Sequence, residues 1–319
     1  MRIGDIARRR RLVTAEVIPD RVVQSEIRQL RGRVDAITIP ALTNHSSDPS
    51  YPTTYRVTPQ QRSVASALIL RRMGVESIAT LTCRDCKANE IPSIITSRKG
   101  SLDNLLVVYG DPYPGNERGT YQFSKSEHLI RRLANGYGND GPCVGAITNQ
   151  HAKDRESEVS KTLAKVDAGA DFVITNITFD SVSILPHRDA LLSAGLDVPL
   201  LIQISIPHSL NNLLFVSHRF GISVPSHVRR RLENSGIDSG VSLAAEAFES
   251  LKGEASGVHL SYLFRKRSPV SSYRRLFDLL GIGVRPWPSG PVQPAPTSWA
   301  PRTPPRTCRP HGESVVRVA

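Results

Sequence analysis

Three stretches of the chain place an ionisable or amide side chain where an apolar run has just ended. In TAEVIPD, Glu16 closes such a run. A carboxyl so placed is partly desolvated, which disfavours its charged form, raises its pKa and makes it a candidate general acid near neutrality. The alternative is a solvated loop acid or a partner for a neighbouring arginine. In VVYGDPYPG, Asp111 directly follows an apolar strand, with Gly110 permitting close backbone approach to a ligand and Pro112 fixing the turn. A turn-capping aspartate is the alternative there. The run KVDAGADFVITNITFD, Lys165 to Asp180, is the most informative. Lys165 ends a helix, Gly169 closes it at the C′ position, and Asp171 opens a strand that delivers Asn176 and Asp180. A helix-turn-strand accounts for Val166, Ala168, Gly169 and Ala170, but not for an asparagine at the strand end.

Cys83-Arg84-Asp85-Cys86 has the CxxC spacing of zinc and redox sites. A structural zinc needs two more ligands, and the chain has no second CxxC and no HxxxH, so the spacing reads as coincidental and no metal is expected. The histidines form no ligand spacing, and His259 reads as a strand-end contact more readily than as a catalyst.

These residues need elements to position them. From Leu12 to Gly283 short β-branched runs alternate with helix-period segments, eight pairs in all. The expected strands are Val13–Val17, Val34–Ile39, Ser77–Thr82, Asn104–Val108, Cys143–Ile147, Asp171–Asn176, Pro199–Ile204 and Gly257–Tyr262. Runs such as NLLVV and DFVITN are continuous in apolar character, as strands buried on both faces are. Eight β/α units predict an α/β fold with a parallel sheet closed into a (β/α)8 TIM barrel. A doubly wound open sheet usually has fewer strands and a glycine-rich first turn, and the first turn here has no glycine. In a barrel the functional site lies at the C-terminal strand ends. That rule selects Glu16, Thr38, Thr82 with Arg84 and Asp85, Asp111, Asn149, Asn176 with Asp180, Gln203, and His259 with Ser261.

The chain has 319 residues, with 41 Lys+Arg against 29 Asp+Glu for a formal charge of +12. The arginines are spread along the whole length with no interleaved aromatic pattern, which argues against a nucleic-acid footprint and favours solvated helix faces or an anionic small substrate. No apolar run approaches the roughly 18 residues that a bilayer span needs, so no membrane association is expected. Four cysteines are too few for a disulfide framework, which fits the cytoplasm. Between Val284 and Ala319 there are nine prolines, five arginines and one acid without apolar periodicity. We expect a barrel over residues 1–283 and a disordered basic tail over 284–319.

TAEVIPD, VVYGDPYP and KVDAGADFVITNITFD, with TLTCRD, IPHSLNN, ISVPSHVRRRLE and GVHLSYLFRK in matching order, resemble the methylenetetrahydrofolate reductase family over roughly residues 12–283. The resemblance implies a (β/α)8 barrel that binds FAD non-covalently and reduces 5,10-methylenetetrahydrofolate to 5-methyltetrahydrofolate with NADH or NADPH. It makes Glu16 the acid that protonates the folate as its five-membered ring opens. Asp111 becomes the aspartate near flavin and pterin. Asn176 takes the place of a folate-touching glutamine, with shorter reach, and Arg265 and Gln203 join it around the folate. Lys165 matches a lysine near the flavin phosphates, and Thr38, Thr80, Thr82, Tyr109, Gly110 and Asn149 line the flavin site.

Three departures stand out. The loop IPALTNHSSDPSYPTTYRV is long and lacks the family's glycine, Thr80 stands where many relatives have a histidine, and Tyr109 where many have an arginine. Some relatives keep the barrel and folate chemistry without a firmly bound flavin. Others work beside methyltransferase or corrinoid partners, and TCRDC resembles that subgroup's third strand. A flavin-free folate or pterin enzyme, or a non-catalytic barrel subunit of a methyltransferase system, are the corresponding alternatives, with a homo-oligomer or a methyltransferase as possible partner.

Overall fold

The computed structural model describes residues 1–18, 24–43, 57–97, 100–113, 121–137, 141–234, 237–262 and 269–284. Eight parallel strands form a closed barrel. They are β1 Leu12–Glu16, β2 Ala36–Ile39, β3 Ser77–Thr82, β4 Asn104–Val108, β5 Cys143–Thr148, β6 Phe172–Thr175, β7 Leu200–Ile206 and β8 Gly257–Tyr262. They follow one another around the ring in chain order, and β8 pairs with β1 through Val13 opposite Val258 and Thr14 opposite His259. A two-stranded antiparallel ribbon, Thr96–Ser97 with Gly100–Ser101, interrupts the β3–β4 connection. The (β/α)8 expectation holds.

Helices occupy the connections: α1 Ile3–Ala7, α2 Gln24–Ile27, α3 Pro59–Arg72, α4 Ile91–Ile95, α5 Ser126–Tyr137, α6 Arg155–Asp167, α7 Ser181–Ser193, α8 Leu210–Phe220, α9 Ser226–Asn234, α10 Ile237–Leu251 and α11 Val270–Leu279. Their ends follow local chemistry. Thr58 and Gln61 form a reciprocal capping box at α3 with Pro59 in its first turn. Asp154 caps α6, and Gly169 follows it with φ +110°. The extra helices of the seventh unit are α8, α9 and α10. The helix expected over Lys87–Ser97 is only α4, since Pro92 suits a helix start and the ribbon takes over at Thr96.

Alternation along the strands sorts the core. Val13, Ala15, Ile37, Ile39, Ala79, Leu81, Leu105 and Val107 pack outward into the main cluster beneath the helices. Leu12, Ala36, Ile78, Leu106, Cys143, Phe172 and Leu201 form a second cluster inside the barrel. Phe172 fills the space a side chain at position 145 would need: a Cβ on Gly145 would lie 2.3 Å from its ring. The floor is closed by α1, which the sequence pattern did not reveal. Ile3, Ile6 and Ala7 join the inner cluster, the Ile3 N–H donates to Asn104 Oδ1 at 2.7 Å, and Arg2 pairs with Asp171 at 3.1 Å. The segment after Val284 lies outside the described residues.

Candidate active site at the barrel mouth

Above the apolar floor the barrel interior turns polar. Thr14 and the buried His259 meet across β1 and β8 at 2.8 Å between Oγ1 and Nδ1. Burial lowers the His259 pKa to about 4, so this ring is neutral, and its position fits a strand-strand contact. The hydroxyls of Thr38, Thr80 and Ser261 are buried in the same barrel and have no hydrogen-bond partner among the described residues. Buried polar atoms left unpaired are costly, and three of them in one polar interior set the upper barrel apart from its apolar floor.

Glu16 stands half-buried at the end of β1. Its backbone carbonyl accepts a 2.8 Å hydrogen bond from Tyr273 Oη, which also reaches the Leu260 carbonyl at 3.3 Å. Tyr273, fully buried on α11, thereby ties the ends of β1 and β8 together beneath the acid. Its phenol is held well above the ordinary value, first by burial and then by the Glu16 charge. Thr38 is the register partner of Glu16 on β2. The strands β2 and β3 are set by α3: Ser63 Oγ donates to the Ile39 carbonyl at 2.6 Å and accepts the Thr80 N–H at 2.8 Å, and Gln60 Oε1 accepts the Thr82 N–H at 2.8 Å.

Asp111 follows β4. Gly110 has φ +87°, and a Cβ there would come within 2.9 Å of Thr82, so the loop requires glycine. Arg84 donates to both Asp85 oxygens, at 2.8 and 2.6 Å, and from Nη1 to the Asp111 carbonyl at 2.7 Å. The pair is buried, and Tyr113 adds an O–H to Asp85 at 2.7 Å and a ring face 4.6 Å from the guanidinium carbon. Thr82 Oγ1 accepts the Asp85 N–H at 3.0 Å. Tyr109, about half exposed, stacks on Tyr121 with centroids 4.6 Å apart, and Tyr121 Oη donates to the Gly110 carbonyl at 3.0 Å.

Next around the ring, after β5 and β6, Asn149 and Asn176 meet. Asn176 Nδ2 donates to Asn149 Oδ1 at 3.2 Å, and Asn176 Oδ1 accepts the Ile177 N–H at 2.7 Å. Gln150 bridges to the same strand end, accepting the Asn176 N–H and donating to its carbonyl. Gln203 is half-buried on β7, where its N–H donates to Thr175 Oγ1 at 2.9 Å.

Among the residues picked from the sequence, Glu16, Thr38, Thr80, Thr82, Tyr109, Gly110, Asp111, Asn149, Asn176 and Gln203 all stand at C-terminal strand ends or in the upper barrel. Lys165 is on the wall: its ammonium donates to the Ile147 carbonyl at 2.7 Å from α6, and burial lowers its pKa while Glu158 and Glu127 oppose that shift. Asp180 caps α7 through the Val182 N–H at 3.1 Å. Arg265 lies outside the described residues, as does most of the long second loop. Cys83 and Cys86 are buried thiols pushed up to about 12 by desolvation, and no metal-ligating cluster occurs among the described residues. Tyr273, Gln60 and Ser63 escaped the sequence reading because they act from helices distant in the chain. The arginine of the CxxC spacing was on view, but nothing local tells that its guanidinium spans loops.

The methylenetetrahydrofolate reductase family model matches residues 3–276. The chain belongs to the methylenetetrahydrofolate reductase family. Methylenetetrahydrofolate reductase 2 of Schizosaccharomyces pombe is 27% identical over 216 residues, covering 59% of this chain and 34% of the relative. The 5,10-methylenetetrahydrofolate reductase of Salmonella typhimurium is 26% identical over 227 residues, covering 68% and 74%. The chain thus spans about a third of the yeast reductase it matches and about three-quarters of the bacterial one. In structure it is similar to a Clostridium thermocellum protein described as binding two copies of 5-methyl-5,6,7,8-tetrahydrofolic acid, with TM-score 0.60, 15% identity and coverage of 87% and 98%. That likeness is one of fold.

Proposed function

We propose that this family member reduces 5,10-methylenetetrahydrofolate to 5-methyltetrahydrofolate, taking reducing equivalents from NADH or NADPH through a non-covalently held FAD. The observation that carries this reading is the convergence, on one barrel mouth, of a strand-end acid, a braced aspartate and an amide pair, with buried hydroxyls that have no partner among the described residues. A barrel of this fold from C. thermocellum holds the product, 5-methyltetrahydrofolate, which is in keeping with a folate here.

The residues have separable tasks. Glu16 donates its proton to a folate nitrogen as the ring carbon–nitrogen bond breaks, leaving a cationic iminium ready for hydride. Asp111 sets a carboxylate beside that developing positive charge, where a fixed anion in a site shielded from water stabilises it without reorganising. Asn176, Gln203 and Arg265 orient the pterin and its tail. FAD, when bound, supplies the two-electron relay between nicotinamide and folate. The residues present suit it: among the described residues the Thr38 and Thr80 hydroxyls have no partner, Tyr109 and Asn149 follow the neighbouring β4 and β5, and Gly110 allows close backbone approach. Thr82 and Lys165 already hold protein partners and would contribute shape and charge. We further place the protein in the cytoplasm; its described cysteines are free thiols, and no described helix is long and apolar enough to cross a membrane.

The test is a visible spectrum of the purified protein titrated with FAD. A bound-flavin spectrum that bleaches with NADH or NADPH and returns with methylenetetrahydrofolate is expected. Failure to bind flavin overturns the flavin route, and direct nicotinamide oxidation with folate present then tests the flavin-free one.

A further inference from the structure

Both peptide groups that flank Asp111 are pinned by side chains from elsewhere. The Gly110 carbonyl receives Tyr121 Oη at 3.0 Å, and the Asp111 carbonyl receives Arg84 Nη1 at 2.7 Å. Two fixed peptide planes on either side of one Cα fix the direction in which its side chain leaves the backbone. Arg84 also extends Nη2 to the Ala41 carbonyl at 3.5 Å, so one guanidinium joins the loops that follow β2, β3 and β4.

Its charge is fully engaged. Asp85 takes Nε and Nη2 in a bidentate fork, Tyr113 donates to the same carboxylate, and the side chains of the pair are 3% and 2% exposed. Arg84 is therefore not a docking point for an anionic substrate, although a lone arginine at a barrel mouth invites that reading. A buried ion pair is also a poor way to gain stability, since apolar side chains of similar volume usually do as well. What it supplies is geometry: only a planar fork reaches a carboxylate and two carbonyls together, and a lysine cannot.

We propose that Arg84 is a positioning residue that sets the Asp111 side chain for the reaction by clamping three loops, with Tyr121 as the second pin. This rests on the reductase reading above. The test compares the full-length parent with Arg84→Met, Arg84→Lys and Tyr121→Phe. Thermal unfolding, hydrogen exchange of the 41–43 and 109–113 segments, and kcat and KM for methylenetetrahydrofolate are measured on each. A misplacement near 1 Å at a reacting centre costs on the order of 100-fold in rate. Arg84→Met is expected to fold and to exchange faster in those two segments while the strands stay protected. Its kcat should fall on the order of 100-fold and its KM change by no more than about 3-fold. Arg84→Lys should recover little, and Tyr121→Phe should lose about 10-fold in kcat.

A folded Arg84→Met with parental kcat, or with unchanged exchange in both segments, overturns the proposal. So does a uniform rise in exchange across the barrel, which would make the role one of stability alone. Should Arg84→Met fail to fold, Arg84→Lys keeps the charge beside Asp85, loses the fork and decides by the same readouts. A parent inactive with folate and NAD(P)H overturns the reductase reading and the catalytic consequence with it, while the exchange of the two segments still judges the clamp.

Discussion

At the N-terminal end of the barrel, α1 lies across the opening, and Leu12, Phe172 and Leu201 pack against its Ile3 and Ile6. At the C-terminal end the same strands carry Glu16, Asn176 and Gln203, and the hydroxyls of Thr38 and Thr80 are buried without a partner among the described residues. One end uses its side chains on the protein itself; the other keeps some of them unspent. On the function proposed above, the contrast assigns stability to the floor and chemistry to the mouth, so substitutions at the two ends should fail in different ways.

Glu16→Gln keeps the shape and the Tyr273 contact, which is to the backbone. It should cut turnover on the order of 1000-fold with unfolding unchanged, as steady-state kinetics beside thermal denaturation will show. Parental turnover would remove Glu16 from the role of acid. Phe172→Ala is its counterpart at the floor, opening a cavity beside Gly145 and costing about 4 kcal/mol in urea unfolding. Folate affinity at the temperature where the variant stays folded should be close to parental; a selective loss of binding would break the division between the ends.

A third way to probe the contrast is acidification. His187 and His259 are buried, and burial lowers both from the ordinary 6.5 to about 4. The unfolded chain therefore takes up these protons first. Their contribution to stability is complete above pH 6.5 and is lost as pH falls towards 4, at about 1.4 kcal/mol per pH unit for each ring. Urea midpoints measured across that window should fall, less steeply in a His187→Gln chain; parallel slopes would mean that His187 titrates normally. The smallest expected effect is the sharpest discriminator. Thr80→Val removes an unpaired buried hydroxyl, so stability should hold or rise by up to about 1 kcal/mol, while FAD affinity in a spectral titration falls about 5-fold. Loss of stability with full affinity would place that hydroxyl in the structural fabric.

Much of the barrel was legible. The strand runs Ser77–Thr82, Asn104–Val108 and Gly257–Tyr262 agree to the residue: NLLVV is the continuous apolar run of a strand buried on both faces, while SIATLT, from Ala79 on, and GVHLSY alternate apolar residues, facing the helices, with polar ones facing the barrel interior. α1 was not legible: five residues cannot display helical periodicity, and what holds them is tertiary, the Asn104 and Asp171 side chains lying about a hundred or more positions away. The same split runs through the mouth. Glu16, Asp111 and Asn176 could be picked because each ends an apolar run. Arg84 and Tyr273 gain their roles from loops and strand ends that only closure of the barrel brings within reach, and no local pattern encodes such a meeting.

The floor helix also constrains the order of events during synthesis. α1 leaves the ribosome before every strand it seals, yet its backbone and Arg2 are held by Asn104, Cys143 and Asp171, 101, 139 and 169 positions further along. Until β6 and β7 have emerged, the inner cluster that Ile3 and Ile6 enter lacks Phe172, Ile174 and Leu201, and the two side chains stay more exposed to water or to a chaperone. The helix that plugs the barrel is thus made before the strands it seals and docks late, so a nascent chain stalled before Asp171 should remain open to protease at α1.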